Sequence, residues 1–415
     1  MANNKPNPNK DLIVGIDIGT SKVVTLVGEM TNDGKLNVIG FGSHPSQGLK
    51  RGVVVNIEST VQSIQRSVED AERMAGCEVY SAYTGIAGSH IRSINSHGIV
   101  AIRDREVSQS DVDRVIDAAK AIAIPADQKI LHVLPQEFLI DNQDSIREPI
   151  GMSGVRLEAK VHIVTGAVSA AQNIVKCMQR CGLNTSDIVL EQFASSQSIL
   201  TDDEKELGVC MIDIGGGTTD IAIFSDGAIR HTAVIPIAGD QVTNDIAIAL
   251  RTPTRHAEEI KIKYGCALQD LVDSNQNITL PAVGEKSGKH IPMRALAEVV
   301  EARYEELFTL ALSELRRSGL EESMAAGIVL TGGASNVMGA QELAERIFKI
   351  PVRIGKPNHV TGLPDIIHNP IYATGVGLLV YGSRQRQLVG GEVAISQSSI
   401  KGLWSRMKNW FQGNF

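Results

Sequence analysis

A four-residue motif that occurs twice limits the possible folds of this chain more than any other feature. Residues 16–19 are Ile-Asp-Ile-Gly, and residues 212–215 repeat these four letters. Each copy ends an apolar segment typical of a buried strand, and small or hydroxyl residues and a further strand pattern follow it. The repeat predicts two related lobes, each of which opens with a strand, a turn and a second strand.

Strand patterns and helix patterns alternate along most of the chain. Strands are predicted at 12–18, 22–29 and 36–42, and a helix with an apolar period follows at 57–74. The same order returns as strands at 208–214, 219–225 and 228–235 and a helix near 240–250. This alternation is typical of the α/β class.

Composition and charge exclude several classes of function. The chain has 415 residues and a formal net charge of −7, which argues against a nucleic-acid binder because phosphate backbones need a basic surface. Residues 1–10 are polar, and no apolar run approaches the length of about 18 residues that spans a bilayer. We therefore expect a soluble, cytoplasmic protein of several domains.

Two glycine turns follow the repeated motif and are candidates for phosphate binding. Gly19 allows close approach of a ligand, Thr20 and Ser21 add hydroxyl groups, and Lys22 can offset phosphate charge. The second turn, 215–220, is Gly-Gly-Gly-Thr-Thr-Asp. A lone turn of this kind is better interpreted as a tight β-hairpin, but a matched pair favours phosphate binding. Asp17 and Asp213, just before the turns, suit a hydrated Mg²⁺.

A third glycine turn strengthens this prediction. Residues 328–336 run from an apolar strand into Thr-Gly-Gly-Ala-Ser-Asn, and a helix predicted at 339–348 could point its N-terminus at a ligand. The sequence contains no G-x-x-x-x-G-K-[ST] motif and no G-x-G-x-x-G that opens a helix after the first strand. A P-loop is therefore excluded, and a Rossmann dinucleotide site is unsupported.

The three motifs together resemble the phosphate-1, phosphate-2 and adenosine motifs of the actin, sugar-kinase and heat-shock ATPase superfamily. Within it, the chain resembles the FtsA family of bacterial division proteins from residue 12 to residue 415. Pro-Ser-Gln-Gly at 45–48, Gly-Met-Ser-Gly-Val-Arg at 151–156 and Glu-Leu-Gly-Val-Cys at 206–210 carry this resemblance. It implies a two-lobed actin-like ATPase fold of the α/β class, with an inserted α+β subdomain and a C-terminal amphipathic helix.

The resemblance also implies ATP and Mg²⁺ in the cleft between the lobes. Glu258 and Lys261 are candidates for the ribose, although a Glu/Lys pair at helical spacing is usually a solvated face. The implied contacts are Asp17, Gly19, Thr20, Ser21 and Lys22 from the first lobe, Asp213, Gly215, Gly216, Gly217 and Thr218 from the second, Gly239 near the nucleotide, and Gly332, Gly333 and Ala334 beside the adenosine.

Hydrolysis depends on one acidic residue. The superfamily places Glu or Gln at the end of the strand before the second phosphate loop, where it positions the attacking water. Glu191 matches that position, and the alternative is that it only caps the next helix. We expect nucleotide binding with at most slow hydrolysis.

The resemblance divides the chain into the family's subdomains. The inserted subdomain, called 1C, contributes in the family to self-contact and to contact with later division proteins, and the alternative is a purely structural insert. The predicted parts are subdomain 1A at 1–84 and 164–204, subdomain 1C at 85–163, subdomain 2A at 205–239 and 305–364, subdomain 2B at 240–304, a return helix of 1A at 365–382, a flexible linker at 383–399 and an amphipathic helix at 400–415.

The last residues predict a helix that lies on a membrane surface. Both tryptophans fall in this segment, and no Asp or Glu follows Glu392. On a helical wheel the apolar side chains share an arc of about 120°, and cations flank it. Such a helix suits an anionic membrane interface, whereas the alternative is docking on the protein's own core. The predicted membrane residues are Ile400, Leu403, Trp404, Arg406, Met407, Lys408, Trp410 and Phe411.

The leading hypothesis is a cell division scaffold at the division site, on the cytoplasmic face of the inner membrane. By resemblance it would bind ATP, form filaments with itself, and receive the C-terminal peptide of the tubulin-like FtsZ on subdomain 2B. Arg303, within 297–304, is the candidate contact for this acidic peptide, and the alternative is an ordinary surface charge. Two other functions stay open, a small-molecule kinase and an FtsA-like pilus-assembly protein.

Overall fold

The computed structural model describes residues 12–31, 33–273, 275–280 and 289–390. Within these residues the strands form sheets of six, five and four strands and two short two-stranded ribbons. The strands are β1 (Leu12–Ile18), β2 (Lys22–Met30), β3 (Leu36–Pro45), β4 (Leu49–Lys50), β5 (Val53–Val54), β6 (Ser81–Ile86), β7 (Arg92–Ala101), β8 (Gln128–Ile140), β9 (Gln143–Ile146), β10 (Arg156–Ala167), β11 (Asn184–Leu190), β12 (Val209–Ile214), β13 (Thr219–Ser225), β14 (Ala228–Ile235), β15 (Asn277–Leu280), β16 (Lys289–Pro292), β17 (Ile328–Thr331), β18 (Val352–Ile354) and β19 (Val360–Gly362).

Helices cover the faces of the larger sheets. They are α1 (Ile57–Ala75), α2 (Gln109–Lys120), α3 (Val168–Arg180), α4 (Glu191–Ile199), α5 (Asp202–Leu207), α6 (Gly239–Leu250), α7 (Thr254–Tyr264), α8 (Met293–Arg317), α9 (Ala340–Phe348), α10 (Pro364–Ile367) and α11 (Ala373–Gly390), with 3₁₀ turns at Gln269–Leu271, Glu321–Ser323, Gly333–Asn336 and Pro370–Tyr372.

The first lobe is built on the six-stranded sheet, in the order β11-β6-β1-β2-β3-β19. Strands β1, β2 and β3 are antiparallel, while β6 runs parallel to β1. Successive side chains of a strand point to opposite faces, so Ile13 packs in the core that includes α11 and Ile16 packs in the core that includes α1. Helix α1 begins where Asn56 caps the Ser59 N–H and ends at Gly76, whose φ is +65°.

The second lobe repeats this arrangement with the order β14-β13-β12-β17-β18. In each lobe the strand that carries Ile-Asp-Ile-Gly pairs antiparallel with the next strand and parallel with a strand from later in the chain. The two lobes predicted from the repeat, and the α/β fold class, are therefore confirmed.

The inserted subdomain is a separate antiparallel sheet, β7-β10-β8-β9, with α2 packed against it. Ser108 and Asp111 form a capping box that begins α2, because each side chain bonds the backbone N–H of the other residue. The sheet spans Arg92–Ala101 to Arg156–Ala167, so its last strand continues four residues beyond the predicted boundary at 163.

A polar seam joins the inserted sheet to the edge strand β14 of the second lobe. Asn95 and Gln136 donate to backbone carbonyl groups of β14 at 3.1 and 2.9 Å, and a hydrogen bond of 3.0 Å joins His162 Nε2 to Thr232 Oγ1. Burial, together with His231, lowers the pKa of His162 to about 3, so that the imidazole is neutral at physiological pH. The inserted subdomain, which interrupts the chain of the first lobe, thus also contacts the second lobe.

Two predicted boundaries fall inside continuous helices. The boundary at 304/305 lies within α8, whose buried side chains continue from Leu296 to Leu315 as one apolar stripe. The predicted linker at 383–399 is helical over its first eight residues, since α11 continues to Gly390. Arg and Gln are good helix formers, and Arg384 there hydrogen-bonds Gln197 of α4.

The amphipathic tail predicted at 400–415, with the rest of the linker, lies outside the described residues. Among the helices of the described part of the chain, none has both the length and the apolar character required to cross a bilayer.

Candidate functional site

The two repeated motifs end in hairpin turns of the same form. The N–H of Gly19 donates to the carbonyl group of Lys22 at 3.1 Å, and the N–H of Gly215 donates to that of Thr218 at 3.0 Å. Both turns are therefore the tight β-hairpins that the simpler interpretation expected. Their position decides whether they can also hold a ligand.

The tips of the two hairpins face each other across the cleft. A Cβ at Gly216 would overlap with Ser21 Oγ, and a Cβ at Gly217 would lie 2.6 Å from Thr20 Oγ1. Only glycine allows this approach of one backbone to the hydroxyl groups of the other lobe. Hydroxyl groups of the first lobe and the glycine backbone of the second lobe thus meet at one place, and both are groups that phosphate oxygens can bind.

The third turn meets the second lobe's aspartate. Gly332 follows β17 with φ +84°, where an added Cβ would overlap with Asp213 Oδ1 and lie 2.5 Å from the carbonyl oxygen of Ile214. Gly333 begins the 3₁₀ turn beyond it and has more space, its nearest neighbour for a Cβ being Ile371 at 3.7 Å. The third motif is therefore part of the same site.

The predicted ribose and adenosine residues lie on one side of this meeting point. A Cβ at Gly239 would be 3.2 Å from the carbonyl oxygen of Gly215, 3.3 Å from Lys261 Nζ and 3.6 Å from Ala334 Cβ. Lys261 is buried, donates to the Gly239 carbonyl group at 3.0 Å and pairs with Glu258 at 2.7 Å. Lys261 is thus not a member of a solvated helix face, because its ammonium group lies at the cleft.

Acidic side chains crowd the base of the cleft. Asp213 and Asp220 are directly opposite each other on β12 and β13, and two negative charges in such positions destabilise a strand pair. Burial, then Asp213, raises the pKa of Asp17 to about 7, and the same two causes raise that of Asp220 to about 7. Burial also raises the pKa of Asp213. A cation would relieve this repulsion, so these carboxyl groups fit a magnesium site.

The acids of the cleft suit a magnesium ion that keeps most of its waters. In the described part of the chain, no three His, Cys, Asp or Glu side chains are arranged to hold a metal ion by themselves. Mg²⁺ usually keeps several waters and takes its other ligands from one or two carboxylates and from phosphate oxygens. Asp17 and Asp213 therefore suit a hydrated ion that the phosphates of a ligand also hold.

Two hydroxyl groups that the sequence analysis did not identify hold Asp213 in place. Ser195 Oγ donates to Asp213 Oδ2 at 2.6 Å, and Thr374 Oγ1 lies 3.4 Å from the same oxygen and 3.0 Å from Ser195 Oγ. Ser195 lies on α4 and Thr374 on α11. Thr374 carries no local signal, because only the tertiary fold brings α11 to β12.

Glu191 is the first residue of α4, directly after β11. Its Oε1 is 3.0 Å from where a Cβ of Gly85 would lie, so the glycine leaves room for it. Burial, then Asp17, raises the pKa of Glu191 well above its usual value, which places its carboxyl group among the cleft acids. The N-cap residue, Leu190, makes no side-chain capping bond. A carboxyl group in this position is a candidate base for a water molecule.

The inserted subdomain contacts the backbone just before Glu191. His132 on β8 accepts the N–H of Leu190 through Nε2 at 2.9 Å. Burial lowers the pKa of His132 to about 4, so the ring is neutral and can accept this bond at physiological pH. The start of α4 is thereby held by both the first lobe and the insert.

Lys22 lies between an acid and an aromatic ring. Its Nζ is 5.0 Å from the centroid of the Tyr372 ring, within the range of a cation–π contact. Burial lowers the pKa of Lys22, and the charge of Asp17 acts in the opposite direction. The carboxylate of Asp17 thus favours the charged form of this ammonium group beside the first hairpin turn.

Arg303, the predicted contact for an acidic peptide, lies on α8 away from these turns. It already makes ion pairs with Asp245, at 2.6 Å, and with Glu306. Its side chain is 24% exposed, so it is a half-buried, paired cation and not an isolated surface charge. A peptide carboxylate would have to compete with Asp245 and Glu306 for the guanidinium group.

Known structures of other proteins share the fold of this chain. The fold is similar to that of a PilM-PilN type IV pilus biogenesis complex (TM-score 0.64, 17% identity, 89% of this chain and 98% of that one) and to MreB5 of Spiroplasma citri bound to ADP (TM-score 0.58, 15% identity, 92% and 99%). Two lobes with facing glycine turns and these structural neighbours define a protein of the actin-like ATPase fold.

Sequence comparison identifies the family. Residues 210–377 match the family described as Cell division protein FtsA, and residues 88–165 match the SHS2 domain inserted in FtsA. The chain is 65% identical over 410 residues to the cell division protein FtsA of Pseudomonas aeruginosa, covering 97% of this chain and 98% of that protein. The chain belongs to the FtsA family of cell division proteins, which confirms the predicted family.

Proposed function

We propose that this protein binds ATP with Mg²⁺ in the cleft and assembles with itself into filaments that hold the division machinery on the membrane. The observation that carries the proposal is the meeting of three glycine turns from two lobes around buried carboxyl groups. Such a site has donors for phosphates and an excess of negative charge for a metal ion. It would be complete only when nucleotide and metal are both bound.

Each residue at the cleft has a task in this proposal. The turns at residues 19–22 and 215–218 would hold the phosphates, and Gly239, Lys261 and Ala334 would lie at the nucleoside. Asp17 and Asp213 would orient the waters of Mg²⁺, which neutralises phosphate charge when bound. Glu191 would accept a proton from the attacking water. Burial, then Asp17, raises the pKa of Glu191, which makes this carboxylate a stronger base than an exposed one.

Filaments would connect this body to the membrane. The tail residues 400–411 combine two tryptophans with cations and no acid, which suits an anionic surface on the cytoplasmic side of the inner membrane. One short helix binds a membrane only weakly, so many tails linked in a filament would bind by avidity. The protein would then carry the C-terminal peptide of FtsZ, with Arg303 as a contact, and would bind later division proteins through the inserted subdomain.

Electron microscopy on an anionic lipid monolayer tests this function. In the presence of ATP and Mg²⁺ we expect the full chain to form filaments on the lipid, and a truncation that ends at Ser399 to lose attachment to it. Lipid-bound protein without filaments would contradict the assembly part of the proposal. Absence of lipid binding by the full chain would contradict the membrane part.

A further inference from the structure

The turn of the short hairpin β4–β5 contains an arginine at a position that usually holds Asn, Asp or Gly. Lys50 pairs with Val53, so residues 51 and 52 form a two-residue loop. Their φ angles are +50° for Arg51 and +76° for Gly52. Two-residue loops with both φ angles positive strongly favour Asn, Asp or Gly at the first position. Arg51 therefore occupies a strained position for which its side chain is not the usual choice, and such positions cluster at functional sites.

This hairpin tip lies against both phosphate-binding turns. The N–H of Gly52 donates to Thr20 Oγ1 at 3.0 Å, and a Cβ at Gly217 would lie 3.0 Å from Arg51 Cα. On its other side the tip packs on the end of β6, where a Cβ at Gly52 would be 3.0 Å from the backbone nitrogen of Gly88. The tip is thus held in place by contacts with both lobes.

The position of the tip along the second turn indicates which part of a nucleotide it faces. The Gly215 end of that turn accepts the N–H of Gly239 at 3.1 Å and so lies on the nucleoside side of the cleft. The Gly217 end lies at Arg51. A triphosphate held along the turn would therefore place its terminal phosphate nearest to Arg51.

The guanidinium group of Arg51 has no acidic partner among the described residues. Its side chain is exposed, and within the described residues no Asp or Glu forms an ion pair with it. Guanidinium groups bind phosphate through two parallel hydrogen bonds, which are stronger than bonds between neutral groups. We propose that Arg51 binds the terminal phosphate of the nucleoside triphosphate and makes the cleft prefer triphosphate over diphosphate. This inference rests on the proposed ATP site.

The test is a comparison of ATP and ADP affinity for the full chain and for Arg51→Asn, by calorimetric titration with Mg²⁺. Asn suits the turn and removes the cation, so we expect no loss of thermal stability. ATP affinity should fall by about tenfold, the effect of one charge-assisted hydrogen bond, and ADP affinity should change by less than about threefold. The ATP affinity of Arg51→Lys, which keeps the charge, should lie between that of the unchanged protein and that of Arg51→Asn.

Arg105→Asn is the matched control, because Arg105 also has a positive φ, +60°, but lies in the inserted subdomain. It should keep the ratio of ATP to ADP affinity of the unchanged protein. An Arg51→Asn protein with that same ratio, or with equal losses for both nucleotides, would overturn the role of Arg51 while leaving the ATP site intact. Failure of the unchanged protein to bind either nucleotide would overturn the ATP site and this inference together.

Discussion

Replacing Gly332 by alanine is expected to reduce ATP affinity by roughly 100-fold, or about 2.7 kcal/mol. An alanine there needs a left-handed backbone at φ +84°, and its methyl group would overlap with the Asp213 carboxyl group. The neighbouring carbonyl group of Ile214 belongs to a buried strand and cannot move aside easily. Asp213 would have to leave its hydrogen bond with Ser195, which would disturb the proposed magnesium site. Calorimetric titration with ATP and Mg²⁺ measures the loss.

Gly319→Ala is the control that separates the two causes. Gly319 has nearly the same backbone angle, φ +73°, and no atom lies within 4 Å of the added methyl group. It should lose about 1–2 kcal/mol of unfolding free energy from backbone strain and keep its ATP affinity. Equal ATP affinity of the Gly332→Ala and Gly319→Ala proteins would contradict the position of the third turn in the site.

Replacing Asp213 by asparagine should remove the dependence of ATP binding on magnesium. The carboxylate is held by Ser195 and Thr374 in the cleft, and an amide is a much poorer partner for the waters of Mg²⁺. We expect the ratio of ATP affinity in Mg²⁺ to that in EDTA to fall to about one. Affinity measured by calorimetry under the two conditions gives this ratio.

The same substitution should not weaken the fold without nucleotide. Burial raises the pKa of Asp213, which means that the folded protein carries this negative charge at a cost. The neutral amide avoids that cost, so the unfolding free energy at pH 8 should be unchanged or higher. Asp203→Asn, on exposed α5, should leave both stability and the magnesium dependence unchanged. A magnesium dependence that survives in Asp213→Asn would contradict the assignment of this carboxylate.

Short-range pattern predicted the three turns that meet at the cleft because each turn is local. The repeated Ile-Asp-Ile-Gly motif marks the strand end and hairpin of each lobe, and the structure forms both with the same hydrogen bond. The sequence does not show why positions 216, 217 and 332 must be glycine. In the folded protein, Ser21, Thr20 and Asp213, respectively, lie where a side chain at these positions would be.

Residues that act across long sequence distances were not predictable in this way. Thr374 reaches Asp213 across 161 positions, and His132 reaches Leu190 from the inserted sheet. Arg51 lies in no recognisable motif, and its proposed role rests on its backbone angle and on the contacts of its hairpin with both phosphate turns. The continuity of α8 across the predicted boundary at 304/305 was not predicted either, although its apolar stripe continues there and no residue ends the helix.

The proposed nucleotide site can be tested by a structure of the full chain with Mg²⁺ and a non-hydrolysable ATP analogue. We expect the phosphates between the turns at residues 19–22 and 215–218, the metal beside Asp17 and Asp213, and the nucleoside near Gly239 and Ala334. We expect the terminal phosphate on the side of Arg51. A nucleotide bound away from these turns, or a cleft that stays empty at millimolar analogue, would contradict the proposed site.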